Sequence, residues 1–161
     1  MSKTQDIEPN SKRIAYISIF AALYAVVTWL FAPISYLDIQ LRISEGLKPA
    51  IAKKWYLCFA FAIGNFLGNL MSPFAGIHEL LFMPLMNVVG GLLAYACSFK
   101  NYFLAGFVYA TTIALSVSWM LNNLFGIPLE FLIPSLMVSE HLIMYLGSVI
   151  FQLIEKRWQW F

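Results

Sequence analysis

The sequence predicts an all-α integral membrane protein built as a bundle of six transmembrane helices. Hydrophobic residues make up 61% of the 161 residues and charged residues only 11%, whereas soluble domains are about 45–50% apolar and about 25% charged. The mean hydropathy is +0.76. The length allows about five or six crossings of about 20 residues with short loops between them. These observations exclude a soluble domain, and no cleavable signal peptide is expected before the first apolar run.

Apolar segments separated by prolines or polar residues follow a polar tail at residues 1–13. The first predicted span covers residues 14–32, and Pro33 ends it. Residues 34–52 form a second, amphipathic segment, for which we expect a loop and then a short helix from about Ile43. The other four spans are predicted at residues 55–71, 78–99, 102–121 and 134–154. Residues 14–161 are thus expected to form a single transmembrane domain.

The basic residues predict the orientation, because cytosolic loops carry an excess of Lys and Arg. With the N-terminus in the cytosol, six crossings place these basic residues on the cytosolic side: Lys12, Arg13, Lys53, Lys54, Lys100, Lys156 and Arg157. Arg42 and Lys48 are the exceptions on the outer side. If the second segment were a re-entrant hairpin, Lys53 and Lys54 would lie outside. Both termini are therefore predicted to be cytosolic.

The polar residues within the predicted spans concentrate in the outer half of the bundle. Ionisable groups inside spans are costly and usually face the protein interior or a wet cavity. A channel or a proton relay needs polar groups through the whole thickness of the membrane. One-sided polarity favours a cavity that opens outward and captures a small polar molecule. The candidate substrate contacts are Gln40, Arg42, Glu45, Asn65, Asn69, His78, Glu79, Asn87, Trp119, Asn122 and Glu140.

Structural roles are the alternative for several of these side chains. Asn65 and Asn69 could bridge helices. His78, Glu79 and Asn122 could lie at helix ends, where a carboxylate suits the positive end of a helix. Glu140 could form an ion pair with Arg42 or Lys48. The charges of the second segment could also pair among themselves at helical spacing, as Asp38 with Arg42 and Arg42 with Glu45. Pairing alone would not explain why such a segment lies in a membrane.

Sequence motifs of catalysis are missing. His78-Glu79 is not completed to His-Glu-x-x-His, and neither Gly-x-Ser-x-Gly nor a phosphate-binding loop occurs. Cys58 and Cys97 lie in apolar runs without ligand partners, which predicts free thiols rather than a disulfide or a metal site. We therefore expect no enzyme activity and no directly bound cofactor or metal. The basic residues are scattered, so the net charge of +2 does not indicate nucleic-acid binding.

Small residues on the first span predict a docking surface. Ala21 and Ala25 are four residues apart, as are Ser18 and Ala22, and small residues at this spacing let helices approach closely in lipid. An N-terminal helix at the periphery of the bundle would present these residues to a partner membrane protein. Packing inside the bundle is the alternative.

The run PISYLDIQLRISEGL, residues 33–47, is similar to the signature of the QueT family, proposed importers of queuosine precursors. Proteins of this family are substrate-binding (S) components of energy-coupling factor (ECF) transporters. The spacing from Gly64 to Asn69 in the third span also resembles the QueT family, and the Ala-x-x-x-Ala pattern of the first span resembles S components in general. The resemblance extends over residues 14–71 and weakens beyond them. His78-Glu79 departs from the family pattern, in which an acidic residue often opens the fourth span without a preceding His.

This resemblance implies six helices, with ligand bound near the outer surface under the loop between the first two spans. It implies a transmembrane (T) partner subunit and two cytosolic ATPases that use ATP, in the cytoplasmic membrane of a prokaryote. Ala21 and Ala25 match the motif that docks on the T subunit, and Gln40, Arg42, Ser44 and Glu45 match the signature. The ligand would be taken up from outside.

A 7-deazaguanine would suit these side chains. Its N–H groups could donate to Glu45, Glu79 or Glu140, its carbonyl could accept from an amide side chain, and its ring could stack on Trp119 or Tyr36. Two alternatives stay open. One is an S component for another vitamin-like ligand, and the other is a small transporter or scaffold that acts alone.

Overall fold

The computed structural model describes residues 9–35 and 41–158, and within these ranges all regular structure is helical. This confirms the predicted all-α class. The long helices are α1 (Asn10–Leu30), α3 (Leu57–Asn69), α4 (Met83–Ser98), α5 (Tyr102–Phe125) and α6 (Leu129–Arg157). A short α2 (Ala32–Ser35) follows α1, a π turn (His78–Phe82) leads into α4, and a 3₁₀ helix covers Ile43–Ala52. We call this last segment the central 3₁₀ helix.

Four helical segments are long and apolar enough to cross a bilayer, namely Asn10–Leu30, His78–Ser98, Tyr102–Phe125 and Leu129–Arg157. They make the chain a multi-pass membrane protein. The other two predicted spans are shorter. Helix α3 has 13 residues, about 20 Å at ~1.5 Å per residue. The central 3₁₀ helix has 10, also about 20 Å at ~2.0 Å per residue. Both fall short of a hydrocarbon layer of about 30 Å.

The fifth and sixth helices extend further than the sequence predicts. Helix α5 continues to Phe125, so Asn122 lies within the helix and not in a turn. It ends because Gly126 adopts a left-handed conformation with φ of 68° and donates its N–H to the Asn122 carbonyl. Helix α6 starts at Leu129, directly after Pro128, so the predicted start at Pro134 is wrong and Pro134 lies inside the helix.

The central 3₁₀ helix is the axis of the fold. Helices α1, α3, α4, α5 and α6 pack against one another in this order, and each of them contacts the central 3₁₀ helix. Seven of its ten residues are buried, which are Ser44, Glu45, Lys48, Pro49, Ala50, Ile51 and Ala52. A segment with charged side chains is tolerated at membrane depth because protein surrounds it and lipid does not.

Two glycines allow the central 3₁₀ helix to approach α6. A Cβ added at Gly147 would overlap the carbonyl oxygen of Gly46, so the two backbones touch directly. At Gly46 itself an added Cβ would lie 3.4 Å from the Ile143 carbonyl oxygen. Small residues at such crossings are the usual way in which membrane helices come close. The position of the central 3₁₀ helix therefore depends on Gly147.

The small residues of α1 divide between two faces. Ala21 and Ala25 are buried, and Ala21 lies against α3, where a Cβ at Gly64 would be only 2.9 Å from the Ala21 carbonyl oxygen. Ser18 and Ala22 are exposed. The expectation of an exposed stripe is therefore wrong for Ala21 and Ala25. Helical periodicity turns these two residues inward and leaves Ser18 and Ala22 on the outer face.

Changing Gly147 to Ala should destabilise the fold strongly. The new methyl group has no space beside Gly46, and overpacking of this kind costs typically about 1–3 kcal/mol. Thermal unfolding in detergent should show a lower melting temperature for Gly147→Ala. Gly76→Ala is the matched control, because a Cβ there would lie 3.6 Å from its nearest neighbour, the Phe74 carbonyl oxygen. Equal melting temperatures for the two variants would contradict the proposed crossing.

Candidate functional site

Buried polar side chains collect at one end of the bundle, which we call the polar end. It is formed by the C-terminal ends of α1, α3 and α5 and the N-terminal ends of α4 and α6. Trp29 donates to the Gly68 carbonyl across α1 and α3, and Asn69 to the Glu79 carbonyl at the start of the fourth span. The opposite, basic end holds Lys12, Arg13, Lys53, Lys54, Lys100, Lys156 and Arg157. An ion pair at 2.9 Å joins Lys53 to Glu155 there.

Glu45 is the centre of the polar end. Its Oε1 accepts a hydrogen bond from the Tyr24 hydroxyl, and its Oε2 accepts one from the Lys48 ammonium. Lys48 is completely buried, and its Nζ lies 4.8 Å from the ring centroid of Tyr109 and 5.6 Å from that of Tyr24. Ion pairing and cation–π contacts together offset part of the cost of removing this charge from water.

Asparagines extend the network from Glu45 to α3 and the start of the fourth span. Asn65 donates to the Tyr24 hydroxyl at 3.5 Å, and Asn69 donates both to Asn65 Oδ1 at 3.3 Å and to the Glu79 carbonyl at 3.0 Å. Their spacing of four residues puts both on one face of α3. Asn65 and Asn69 thus bridge helices and also face the same buried region as Glu45.

Asn87 joins α4 to α5. Its carbonyl oxygen and its Oδ1 accept from the Tyr109 hydroxyl at 2.7 and 3.3 Å, and its Nδ2 donates to the Met83 carbonyl. Asn87 therefore orients the Tyr109 ring, whose face covers Lys48. In the structure Asn87 acts through Tyr109 on the central ion pair.

The start of the central 3₁₀ helix is fastened to the end of α1. The hydroxyl groups of Thr28 and Ser44 are hydrogen-bonded at 2.8 Å, and Arg42 Nε donates to the Ser35 carbonyl at 3.4 Å. All four side chains are buried. Arg42 therefore lies in the polar end together with Glu45, as the sequence predicts for a candidate contact.

Among the residues that the structure describes, four buried polar atoms of the polar end have no hydrogen-bond partner. They are Asn69 Oδ1, Glu79 Oε2, Ser118 Oγ and Glu140 Oε2. The Glu79 and Glu140 side chains are 2% and 3% exposed. Buried polar groups are nearly always hydrogen-bonded, and an unsatisfied one costs about 1–3 kcal/mol. Each of these four atoms can accept a hydrogen bond, so the polar end offers acceptors for N–H or O–H donors.

The π turn presents Glu79 to this region. His78 is only half-buried, whereas the next residue is almost fully enclosed. The turn spans His78–Phe82, and π turns inside helices are frequent at functional sites. Of the two adjacent polar residues, Glu79 therefore points inward and His78 lies at the periphery.

Other predicted contacts lie at the edge of the polar end. The Trp119 side chain is 48% exposed, and its ring lies 4.9 Å from that of Phe82 and 6.5 Å from that of His78. Asn122 donates to the Ile127 carbonyl and so closes the turn after α5. The structure therefore gives Asn122 a structural contact. Gln40, like Tyr36 and Asp38, lies outside the described residues.

The predicted substrate contacts do not include Tyr24, Lys48, Tyr109 and Ser118. For Tyr24 a signal exists, because Tyr24 and Thr28 are four residues apart on α1, as Asn65 and Asn69 are on α3. The sequence suggests Lys48 only as a partner for Glu140. Tyr109 is surrounded by apolar residues in the sequence, and only the tertiary packing brings it over Lys48.

A separate groove of about 550 Å³ runs between α5 and α6. Its lining is Phe103, Gly106, Phe107, Val138, His141, Leu142 and Tyr145, which includes none of the predicted substrate contacts. Within the described ranges, no group of three or more His, Cys, Asp or Glu side chains could hold a metal ion. Cys58 and Cys97 are both free thiols.

Comparison with known proteins identifies one family. A sequence model described as the QueT transporter matches residues 14–156, which is most of the 161-residue chain. No curated protein and no solved structure matches the chain significantly.

The ion pair between Glu45 and Lys48 should show strong thermodynamic coupling. Lys48→Met or Glu45→Gln alone leaves one buried charge without its partner, which costs about 3–5 kcal/mol. The double variant should lose less than the sum of the two single losses, as measured by denaturant unfolding in detergent. Lys53→Met with Glu155→Gln is the matched control, because that pair is partly exposed and should be worth about 0–1 kcal/mol. Additive losses at Glu45 and Lys48 would contradict the network.

Proposed function

Because the chain belongs to the QueT transporter family and is a multi-pass membrane transport protein, we propose that it is the substrate-binding S component of an ATP-driven ECF importer. Its ligand is a queuosine precursor of the 7-deazaguanine type, bound at the polar end from outside the cell. The observation that carries this proposal is the set of four buried acceptors without partners: Asn69 Oδ1, Glu79 Oε2, Ser118 Oγ and Glu140 Oε2.

A 7-deazaguanine complements these acceptor atoms. The edge of its pyrimidine ring carries adjacent N–H donors, which suit the Glu79 and Glu140 carboxyl groups, and its carbonyl can accept from an Asn or Arg side chain. The polar end combines these few polar groups with the rings of Tyr24 and Tyr109, a mixture typical of small-molecule sites. At the polar end, acidic side chains also outnumber basic ones, which favours a ligand rich in hydrogen-bond donors.

The topology that accompanies this function has six crossings and cytosolic termini. The basic end then lies in the cytosol and the polar end outside, in agreement with the excess of basic residues on cytosolic sides. The central 3₁₀ helix and α3 are short for a bilayer, but contact with five helices shields the former from lipid. The membrane is the cytoplasmic membrane of a prokaryote.

Transport requires partners that hydrolyse ATP. The chain itself binds substrate but no cofactor, and a T subunit with two cytosolic ATPases supplies the energy. Of the four small residues predicted to dock, Ser18 and Ala22 remain exposed, so a partner helix would approach α1 on that face. A protein that transports its ligand alone in liposomes would support the alternative of an independent transporter.

Glutamine at Glu79 or Glu140 should weaken ligand binding at least about tenfold, because the side chain then has one acceptor oxygen instead of two and an NH₂ group faces the ligand. A buried donor of the ligand left without an acceptor costs about 1–3 kcal/mol. Isothermal titration of the detergent-solubilised protein with 7-deazaguanines measures the change. Glu130→Gln is the control, since Glu130 is exposed on α6. If changes at Arg42, Glu45, Glu79 and Glu140 all leave the affinity unchanged, the assignment of the site is wrong.

Bulky side chains at Ser18 and Ala22 should separate the chain from its partners without unfolding it. Ser18→Leu with Ala22→Leu fills the outer face of α1, and co-purification should then lose the T subunit and the ATPases. Ala96→Leu is the control, because Ala96 is an exposed small residue on α4. Ala21→Leu should instead lower the melting temperature, since Ala21 packs against α3. Retention of the partners by the double variant would exclude this docking face.

A further inference from the structure

The groove between α5 and α6 lies on the membrane-facing surface of the bundle. Both helices that form it are long and apolar enough to cross a bilayer. In its lining, the side chains of Phe107, Val138, Leu142 and Tyr145 are between 52% and 70% exposed. These side chains face the surroundings of the protein and not its core, so the occupant of the groove comes from the membrane.

His141 brings polar atoms into this lining, but both of its ring nitrogens are engaged. Its Nδ1 lies 2.7 Å from the Met137 carbonyl oxygen, and its Nε2 lies 3.2 Å from Thr111 Oγ1. The centroid of its ring lies 4.9 Å from that of Phe107, in an edge-to-face contact. The walls that the groove presents are therefore mainly aromatic and aliphatic, which suits a hydrocarbon chain.

The length and position of the groove match one leaflet of a bilayer. Phe103 and Phe107 belong to the first two turns of α5, so the groove lies nearer the basic end than the polar end. From Val138 to Tyr145 the lining extends along α6 by about 10 Å at ~1.5 Å per residue. Half of a hydrocarbon layer of about 30 Å is about 15 Å. The groove therefore has room for a chain from the leaflet at the basic end.

Positive charge follows the groove at the basic end. Lys100 lies three residues before Phe103, in the turn that leads into α5, and helical periodicity puts Lys156 on the face of α6 that lines the groove. Both lysines are exposed. The acidic residue beside Lys156, Glu155, is paired with Lys53. The surface beyond the groove thus complements the phosphate group of a lipid.

The shape of the walls favours a lipid over a transmembrane helix of a partner. Membrane helices come close through small residues, but the exposed residues of this lining are bulky. Its small residue, Gly106, is buried against α6, where an added Cβ would lie 3.0 Å from Ser148 Oγ. A flexible hydrocarbon chain can follow the cleft between bulky side chains, whereas a helix needs a flat surface of small ones.

We propose that the groove between α5 and α6 is a binding site for an anionic phospholipid of the leaflet at the basic end. One acyl chain occupies the groove, and the phosphate lies at Lys100 and Lys156. The lining includes no candidate substrate contact and no residue of α1. The inference therefore goes beyond the proposed function and holds for any ligand that the polar end takes.

Native mass spectrometry of the full chain, released from nanodiscs with equal amounts of phosphatidylglycerol and phosphatidylcholine, tests the site. The wild type should retain one phosphatidylglycerol. Leu142→Trp fills the groove and should lower the retained fraction about tenfold, because an overpacked site excludes the chain. Leu93→Trp is the matched control, since Leu93 is 48% exposed on α4 and Leu142 is 52% exposed on α6. Val138→Trp fills the groove from its other end and repeats the test if Leu142→Trp lowers the melting temperature.

The charge at the basic end is tested in the same experiment. Lys100→Gln should lower the preference for phosphatidylglycerol about fivefold, because each basic residue near anionic lipid contributes a factor of about that size. Lys12→Gln is the control, since Lys12 is an exposed lysine of α1 at the same end and should leave the preference unchanged.

Three results would overturn the proposal. The first is a wild type that retains no phospholipid, or retention that survives both Leu142→Trp and Val138→Trp. The second is equal retention of the two lipids, which would contradict an anionic headgroup. The third is loss of the T subunit on co-purification by the two tryptophan variants while the lipid stays bound, because the groove would then dock a protein helix.

Discussion

The ion pair between Glu45 and Lys48 is the interaction on which the rest of the structure depends. Both residues lie on the central 3₁₀ helix, which contacts all five long helices. A buried charge without a partner is strongly destabilising, so this segment has to be enclosed by protein on every side. Five helices surround the segment, and the contact between Gly46 and Gly147 brings α6 close to it. The rings of Tyr24 and Tyr109 cover Lys48.

The same requirement explains why the proposed binding site is polar. Groups that surround the ion pair are themselves polar, and they reach from Tyr24 through Asn65 and Asn69 to Glu79. Where the network ends, Glu79 and Glu140 each keep an oxygen without a partner. The proposed ligand would complete the network by donating hydrogen bonds to these atoms. Under this proposal, binding and folding use the same set of polar contacts.

The two ends of the bundle differ for a physical reason that concerns the membrane. Basic side chains at one end favour the cytosolic side, and several are held by aromatic rings, such as Lys54 by Tyr16 at 4.6 Å and Arg13 by Tyr56 at 5.9 Å. At the polar end the charges of both signs turn inward. The two ends thus differ in their charges: basic side chains pack against aromatic rings at one end, and charges of both signs are buried at the other.

The sequence alone predicts the all-α membrane class, a short helix from about Ile43, and the resemblance of residues 33–47 to QueT proteins. It also points to six polar candidates that the structure buries, namely Arg42, Glu45, Asn65, Asn69, Glu79 and Glu140. Composition and local spacing carry this information, because the few charged residues of an apolar chain are costly in lipid and therefore mark positions inside the protein. Helix packing, by contrast, makes the charged segment a 3₁₀ axis, turns Ala21 and Ala25 inward and places Lys48 between Tyr24 and Tyr109. Those outcomes depend on contacts between residues far apart in the sequence, such as Gly46 with Gly147, and no local pattern contains them.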